Sequence, residues 1–437
     1  MQRRINFFVL SLIALTSLTL GCKEQQQKAS KNGAELQHYL VGKLTDAIIY
    51  DIYSPPVASR LYAYTNLAYY EAIRPAYQTT SITNQLKGFE KLTSAPSPTA
   101  FHPALAGIVA YLTVAKKLIF SKDSMSVVEE SLLKEYAYID KEISKNSIDW
   151  GNRVAKIVLD RAAKDQYKLT RGLPRYSVFE EEGKWQQTPP DYADATEPNW
   201  RMIMPLLMDS AAQFKPIPPP PYNLKKGSGY YDELMELYET SKKLTPSQDT
   251  IAKYWDDNPF VTQHQGHLTF ANKKTTPVGH WMGIIAILCN SAKKDEIATA
   301  QAYAIASAAI FDGFISCWDE KFRSRTARPV TVIRKNIETE WSPLLQTPPF
   351  PEYPSGHSVI SGAAATVLIQ LFGTGFAFHD TTELKYLGME RKFSSIEAAT
   401  DEIGISRFYG GTHFMSAIIK GKEQGMKIGE LYNQLKK

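Results

Sequence analysis

The chain has 437 residues, 43% hydrophobic and 22% charged, so it can bury a large core and is not disordered by composition. Its formal net charge is only +5 at neutral pH, and no long basic run carries that charge. Nucleic-acid-binding proteins concentrate positive charge on one face, so the charge pattern gives no case for that function.

The first 22 residues have the pattern of an export signal. Two arginines precede the apolar run INFFVLSLIALTSLTLG, which ends at Cys22 and is followed at once by polar chain. The ending TLGC resembles a bacterial lipobox, although the favoured leucine stands one position early, at Leu18. We expect a lipidated Cys22, a flexible tether at 23–37 and export to the cell envelope, facing the periplasm or the cell surface. An ordinary secretory signal or a retained anchor is the alternative.

Helical periodicity dominates the rest of the chain. Apolar residues recur three and four positions apart in LVGKLTDAIIYDIY, VASRLYAYTNLAYYEAIR, HPALAGIVAYLTVAKKLIF and DWGNRVAKIVLDRAAKD. The periodicity stops over 166–230, where WQQTPPDYADATEPNW and KPIPPPPYN bring prolines and aromatic residues. The sequence therefore predicts an all-α helical bundle: an N-terminal half at 38–165, a connecting loop at 166–230 and a C-terminal half at 231–437.

The first motif with chemical potential is WDEKFRSRTARPV. Lys321, Arg325 and Arg328 stand at i, i+4 and i+7, so they share one face if this stretch is helical. Pro329 disfavours helical geometry at the residue before it, which predicts that the helix ends near Arg328. Taken alone, the stretch is typical of a solvated basic helix end.

The second motif, PEYPSGHSVISGAAA, predicts a helix start. Ser355 is a good N-cap, and Gly356 lets a ligand approach the backbone closely. Free N–H groups and the positive end of the helix dipole form a seat for an anion, toward which His357 would direct a titratable ring. A capped helix with an incidental histidine explains this stretch equally well.

The third motif, SRFYGGTHFMSAIIKG, separates Arg407 from His413 by a Gly-Gly turn. A lone histidine at a helix start is usually structural. The conjunction K-x6-R-P, then P-S-G-H, then S-R-x5-H is more informative than any one part, because it supplies cationic donors, a hydroxyl, a backbone N–H and two imidazoles. This inventory fits a tetrahedral or trigonal-bipyramidal oxyanion.

The three motifs, in this order, resemble those of the vanadium-dependent haloperoxidases, which share the site with the type 2 phosphatidic acid phosphatase superfamily. The resemblance implies an acid/base role for His357. It implies that His413 is the vanadium ligand in a haloperoxidase, or the phosphorylated nucleophile in a phosphatase. The residues that it places around the oxyanion are Lys321, Arg328, Ser355, Gly356 and Arg407.

Further positions resemble the haloperoxidase branch, and the bacterial iodoperoxidases in particular. Trp318 and Phe350 match positions that flank vanadate, and the segments WQQTPPDY, EPNW and YWDDNPF resemble bacterial enzymes. Asp256 and Asp257 in the last segment are candidate partners of an arginine, or turn residues. Phosphatases carry Asp four residues after the final histidine. Ala417 stands there instead, so the second ring nitrogen of His413 needs another partner, such as a backbone carbonyl.

The resemblance implies an exported vanadium-dependent haloperoxidase that oxidises halide, above all iodide, with hydrogen peroxide to hypohalous acid. A peroxovanadate bound to His413 and polarised by Lys321 would carry the reaction. The expected partners are peroxide, halide and an organic halogen acceptor, with no nucleic acid and no membrane contact beyond the lipid anchor. The alternatives are a histidine-nucleophile acid phosphatase and a lipid-anchored protein that only binds phosphate or vanadate. The sequence does not define an oligomeric state.

Overall fold

The computed structural model describes residue 31 and the ranges 33–178, 180–259, 261–265, 267–271 and 274–436. The predicted signal segment, Cys22 and most of the predicted tether lie outside the described residues. Most of the described chain is helical, which confirms the predicted all-α fold.

Helices fill the N-terminal part of the chain up to Arg171, and a long loop with one short 3-10 turn follows. The N-terminal helices are α1 (Gly33–Tyr50), α2 (Pro55–Tyr77), α3 (Pro103–Leu118), α4 (Lys122–Glu135), α5 (Lys141–Lys164) and α6 (Tyr167–Arg171). The 3-10 turns are Thr83–Gln85 and Trp200–Met202.

Helices resume at Gly229 and continue to the end of the described chain. They are α7 (Gly229–Ser241), α8 (Pro246–Tyr254), α9 (Pro277–Ser291), α10 (Glu296–Ser324), α11 (Pro329–Asn336), α12 (Gly356–Phe372), α13 (Leu384–Leu387), α14 (Ile396–Tyr409) and α15 (Met415–Asn433). The strands are β1 (Thr262–Gln265), β2 (Leu268–Ala271), β3 (Phe378–Asp380) and β4 (Arg391–Phe393).

Local sequence explains where many helices begin. The Asp140 side chain caps α5 by accepting hydrogen bonds from two N–H groups of its first turn. Thr245 and Gln248 form a reciprocal capping box at α8, and Asp295 caps α10. Because these side chains satisfy N–H groups that have no partner inside the helix, they fix the first turn of each helix.

The predicted N-terminal and C-terminal halves share one hydrophobic core. Helix α10 packs against α2 on one side and α12 on the other, and apolar residues of all three helices belong to the same buried cluster. Among the described helices, α10 alone is long and apolar enough to span a bilayer, but it is buried inside the protein. Its hydrophobicity is therefore that of a core helix.

A buried carboxylate holds the long connecting loop onto this core. Asp312 of α10 accepts hydrogen bonds from the backbone N–H groups of Leu206 and Leu207 at 2.7 and 2.9 Å. It also accepts one from the Tyr432 hydroxyl of α15 at 3.0 Å. One side chain thus joins the loop, the central helix and the last helix.

The element boundaries differ from the predicted ones by a few residues. The first helix begins at Gly33 rather than 38, α6 extends helical structure to Arg171, and helices resume at Gly229 rather than 231. Two antiparallel pairs, β1–β2 and β3–β4, interrupt the helical pattern. Strands of three or four residues are too short for alternation to be recognised in the sequence.

Helices α12 and α15 approach unusually closely, and this contact positions the site. A Cβ atom added to Gly425 of α15 would lie 1.9 Å from the Val359 carbonyl oxygen of α12, and one on Gly421 would lie 2.9 Å from that of Ser355. The Ser355 N–H donates to the Ala417 carbonyl at 3.0 Å. The glycines therefore bring the start of α12 against the start of α15.

Candidate active site

The fold brings the three sequence motifs together. Each predicted charged or polar residue of the site lies at or beside a helix end, and all are buried except His357, which is half-buried with its ring nitrogen Nε2 enclosed. Their positions are Lys321 in the last turn of α10, Arg328 at the N-cap of α11, Ser355 at the N-cap of α12, His357 in its first turn, Arg407 in the last turn of α14, and His413 two residues before α15.

The helix of the first motif ends earlier than predicted. Helix α10 stops at Ser324, and Arg325 adopts a left-handed backbone with φ of 53°. The Arg325 guanidinium lies 3.5 Å from Glu181, outside the site. The prediction that Lys321, Arg325 and Arg328 share one helical face is therefore wrong, because the chain turns between them.

Lys321 is bound entirely to backbone oxygens. Its ammonium donates to the carbonyls of Pro351, Glu352 and Pro354 at 2.9, 2.9 and 2.5 Å. Burial lowers the pKa of Lys321 to about 7, while three carbonyl acceptors favour the charged form. In this arrangement Lys321 supplies positive charge and shapes the loop, and direct contact with an oxyanion would require exchange of one of these three bonds.

Arg328 connects the loop to the last motif. Its guanidinium donates to the carbonyls of Phe350 and Thr412 at 2.8 and 2.9 Å and lies 3.1 Å from Nε2 of His413. Burial lowers the pKa of Arg328 to about 9, which leaves it charged at neutral pH. The guanidinium therefore sets the position of the second half of the site.

The second ring nitrogen of His413 has a carboxylate partner. Nδ1 lies 2.9 Å from Oε1 of Glu352, so the expectation of a backbone carbonyl is wrong. Burial raises the pKa of Glu352 to about 7. Sequence reasoning missed this residue, although a lone acidic side chain inside the apolar, proline-rich stretch PPFPEYP is a signal that the loop buries a charge.

Arg407 keeps part of its donor capacity free. One terminal nitrogen donates to the Trp255 carbonyl at 2.8 Å, and the buried Nε has no hydrogen-bond partner among the described residues. Burial lowers the pKa of Arg407, and the charges of Asp256 and Asp257 oppose that effect. The two aspartates thus act on Arg407 through charge, as the sequence suggested, while each forms its close contact elsewhere: Asp256 with Lys274 and Asp257 with His280.

The start of α12 offers unused polar groups. The Ser355 hydroxyl accepts from the Ser358 N–H at 3.3 Å, and the first N–H groups of the helix have no acceptor within it. A Cβ added to Gly356 would find its nearest atom 3.7 Å away, on Trp318, so the packing around Gly356 leaves room in front of the backbone. Nε2 of His357 is buried and has no partner in the described part of the chain.

The cavity in front of these groups has apolar walls. Trp318 and Phe350 line it, with ring centroids 5.0 Å apart. The Phe350 ring lies 5.1 Å from Nζ of Lys321 and 5.0 Å from Cζ of Arg328. Other lining residues are Pro55, Asp257, Asn258, Pro259, Pro277, Phe314, Pro348, Gly356, His357, Arg407 and His413. The two aromatic residues therefore belong to the site as well as to the core.

The charges around the cavity favour a negatively charged ligand. The basic side chains of Lys321, Arg328 and Arg407 are buried here, whereas the Glu352 carboxylate contacts His413 and only the Glu352 backbone carbonyl binds Lys321. Burial, followed by the charge of Arg407, holds the pKa of His357 well below its usual value. Burial and the charge of Arg328 do the same to the pKa of His413. Both rings are thus neutral near pH 7, and the three buried basic groups, which nearby carboxylates balance only in part, favour an anion in the cavity.

A second buried cluster lies beside the site but does not offer a metal centre. Asp257, His280 and Glu383 bring potential ligand atoms close together. However, the two ring nitrogens of His280 lie 3.0 and 2.9 Å from carboxylates of Asp257 and Asp380. The ring has no lone pair left for a cation, and the adjacent carboxylates raise its pKa against the effect of burial. Trp255 stacks on this ring, so the cluster supports the carbonyl that binds Arg407.

Comparisons with known proteins agree with this geometry. A family model described as the VCPO second helical-bundle domain matches residues 301–437, which contain all three motifs. The crystal structure of a bacterial vanadium-dependent iodoperoxidase is similar at 42% identity with a TM-score of 0.86, covering 93% of this chain and 98% of that one. A search of curated proteins finds no match.

Two more distant structures share the fold. A holo-type bacterial vanadium-dependent chloroperoxidase has 17% identity and a TM-score of 0.67, covering 87% of this chain and 91% of that one. The crystal structure of an apo-type bacterial vanadium-dependent chloroperoxidase has 16% identity and a TM-score of 0.69, covering 88% of this chain and 95% of that one. Fold and site together define a helical protein with buried basic side chains around an internal cavity. The chain belongs to the vanadium-dependent haloperoxidase family.

The residues of this chain fit vanadate, the cofactor of the family. Two residues that line the cavity, Arg407 and His357, each keep a buried nitrogen, Nε and Nε2, without a hydrogen-bond partner among the described residues. His413 also lines the cavity, with Nε2 next to Arg328. His413 would ligate the vanadium, and the two arginines and the start of α12 would hold the oxyanion.

Proposed function

We propose that this enzyme is an iodide peroxidase, which uses hydrogen peroxide and bound vanadate to convert iodide into hypoiodous acid. The observation that carries the proposal is the set of three buried basic side chains beside two neutral imidazoles, in a chain 42% identical to a bacterial iodoperoxidase. When bound, vanadate supplies Lewis-acid activation of hydrogen peroxide toward halide. The protein supplies the charge that holds this cofactor and the groups that handle protons.

His357 is the proton-handling residue in this proposal. Oxidation of iodide by peroxide to hypoiodous acid and water consumes one proton, so the site needs a group that can accept a proton and deliver it. Nε2 of His357 is unpartnered within the described residues, and burial keeps the ring neutral at neutral pH. A neutral imidazole facing the cavity can therefore take up a proton there and release it to a developing hydroxide.

Iodide is the proposed halide for two reasons. It is the most easily oxidised of iodide, bromide and chloride, so an intact site is expected to act on it first. Trp318 and Phe350 also give the cavity an aromatic wall that suits a large, weakly hydrated anion better than a small one. The hydroxyl of Ser358, the residue after His357, donates to Ser355 at 2.9 Å and is therefore already bound within the protein.

The alternative is a phosphomonoesterase with His413 as nucleophile and His357 as leaving-group acid. One pair of assays separates the two activities: peroxide-dependent iodide oxidation with and without vanadate, and hydrolysis of p-nitrophenyl phosphate. We expect iodide oxidation only with vanadate, and its loss in His413→Ala. Phosphate release without any halide oxidation would reject the proposal. Inactivity in both assays would instead favour a binding protein.

We also propose export and membrane anchoring through lipidated Cys22, on the basis of the N-terminal sequence. Cys22→Ala should move the protein from the membrane fraction to the soluble fraction of an expressing bacterium. Mass spectrometry of the mature N-terminus checks the modification directly. An unmodified N-terminus at Cys22, or an unchanged distribution of the variant, would contradict the anchor.

A further inference from the structure

Glu352 makes contact with all three parts of the site. Its carboxylate oxygen Oε1 lies 2.9 Å from Nδ1 of His413 and accepts the Phe414 N–H at 3.0 Å. Its backbone carbonyl accepts from Lys321 at 2.9 Å, and its N–H donates to the Thr326 carbonyl at 3.0 Å. The residue is 1% exposed, so none of these bonds competes with bulk water.

The contacts of His413 define its tautomer. Nε2 lies 3.1 Å from a terminal nitrogen of Arg328, and a guanidinium has only donors to offer. Nε2 must therefore be the acceptor in this pair, so it carries a lone pair and no hydrogen. In a neutral imidazole the hydrogen is then on Nδ1, where the Glu352 carboxylate accepts it.

We propose that Glu352 is the positioning residue of the vanadate site: together with Arg328, its carboxylate holds His413 as the Nδ1–H tautomer. The Nε2 lone pair of that tautomer would bind vanadium in place of the Arg328 hydrogen. This inference rests on the proposed function. Carboxylates behind metal-bound histidines fix ring orientation and raise the basicity of the ligating nitrogen. Ala417 has no polar group that would take over this role.

The backbone around Glu352 makes the arrangement rigid. Because Oε1 accepts from both the ring of His413 and the adjacent Phe414 N–H, the carboxylate fixes the ring relative to its own main chain. Its backbone carbonyl holds the Lys321 ammonium at the same time. Glu352 thus sets the distance between the lysine of the first motif and the histidine of the third.

The test combines histidine NMR on the vanadate-free protein with vanadate affinity by equilibrium dialysis. In 15N-histidine-labelled protein, with His413 assigned by its absence from His413→Ala, we expect a protonated Nδ1 and an unprotonated Nε2. Glu352→Ala removes one of the two contacts that favour the Nδ1–H form, so it should raise the share of the other tautomer and weaken vanadate binding 10- to 100-fold. Glu352→Gln keeps an acceptor oxygen, so it should retain the tautomer and lose less than tenfold.

Glu233 supplies a matched control. Its carboxylate accepts the backbone N–H and the hydroxyl of Ser416, at the start of the same final helix, without contact to His413. Glu233→Ala should leave the tautomer and the vanadate affinity unchanged. Equal affinities of Glu352→Ala and Glu233→Ala would overturn the proposal. A wild-type ring with hydrogen on Nε2 would also overturn it, whether or not Glu352→Ala folds. A wild-type protein that binds no vanadate would refute the proposed function, while the tautomer comparison would still decide the role of Glu352.

Discussion

Two buried arginines show how differently the protein uses the same side chain. Nε and both terminal nitrogens of Arg161 donate to the protein, with acceptors that include the Lys87 carbonyl and the Tyr64 hydroxyl. Arg407 binds the Trp255 carbonyl and keeps Nε without an acceptor in the described chain. The first arginine therefore serves stability, and the second retains a donor for a ligand.

A pair of lysine substitutions separates these roles. Arg407→Lys should weaken vanadate binding about tenfold or more, since a lysine lacks the fixed fork of donors, and should change stability little. Arg161→Lys should lower the free energy of unfolding by about 1–3 kcal/mol through unpaired carbonyls and leave vanadate affinity unchanged. Equilibrium dialysis and denaturant unfolding measure both quantities. Equal effects of the two variants on vanadate affinity would show that Arg407 has no special role.

The neutral state of His357 makes stability depend on pH. Its folded-state pKa lies well below the unfolded value of about 6.5, through burial and then the charge of Arg407. Below pH 6.5 the unfolded chain therefore binds a proton that the folded protein does not, and stability falls as the pH falls.

Comparison with His357→Asn isolates this contribution. Asparagine does not titrate, and the other titratable groups contribute alike to both proteins, so their effects cancel in the difference. The measured quantity is the free energy of unfolding of the wild type minus that of the variant. As the pH is lowered from 7 to 5, this difference should fall, with a slope of up to about 1.4 kcal/mol per pH unit below pH 6.5. Denaturant unfolding of the vanadate-free proteins measures this difference. A difference that is constant with pH would mean that His357 titrates alike in both states.

For individual residues, the sequence predicted the charged side chains of the three motifs but not the contacts that hold them in place. Lys321 and His413 stand in recognisable patterns, and the structure brings them together. Glu352 contacts a histidine 61 positions later, a contact that depends on how the loop folds back onto α15. Spacing along a chain does not reveal such a contact.

Among the secondary-structure elements, the pair α12 and α15 determines the dimensions of the site. A Cβ at Gly425 would lie 1.9 Å from the Val359 carbonyl, whereas one at Gly313 of α10 would meet its nearest atom at 3.8 Å. Both glycines are inside helices, so alanine suits the backbone of each. They differ in the space available.

This contrast gives a matched pair of variants. Gly425→Ala should destabilise the protein by at least about 1–3 kcal/mol and weaken vanadate binding, because it forces apart the helices that carry Ser355 and follow His413. Gly313→Ala should be neutral or stabilising by up to about 1 kcal/mol. Denaturant unfolding and dialysis provide the measurements. Unchanged stability in Gly425→Ala would contradict the close helix contact.

The periodic helices were predictable because apolar residues repeat along their buried faces, as in α2 and α3. The end of α10 was not predictable in this way. The sequence RSRTARP allows helix up to Arg328, but tertiary structure ends the helix at Ser324, where the Trp185 N–H binds the Arg325 carbonyl. A contact from the distant connecting loop thus overrides local propensity.

At the scale of the whole molecule, the site depends on more than the matched C-terminal region. Residues 301–437 contain the motifs, but Pro55 and Asp257 line the cavity, and the Trp255 carbonyl holds Arg407. The Trp318 indole donates to the Thr196 carbonyl of the connecting loop at 3.1 Å. The two predicted halves are therefore one structural unit. Helical periodicity could not predict this, because it describes each helix by itself.

The proposed function requires the buried site to bind one vanadate per chain and, with it, to oxidise iodide. The decisive experiment titrates vanadium-free protein with vanadate while peroxide-dependent iodide oxidation is followed. We predict a rate that rises from near zero and saturates at one vanadate per chain, and no rise in His413→Ala. Oxidation that is independent of vanadate, or that persists in His413→Ala, would contradict the account.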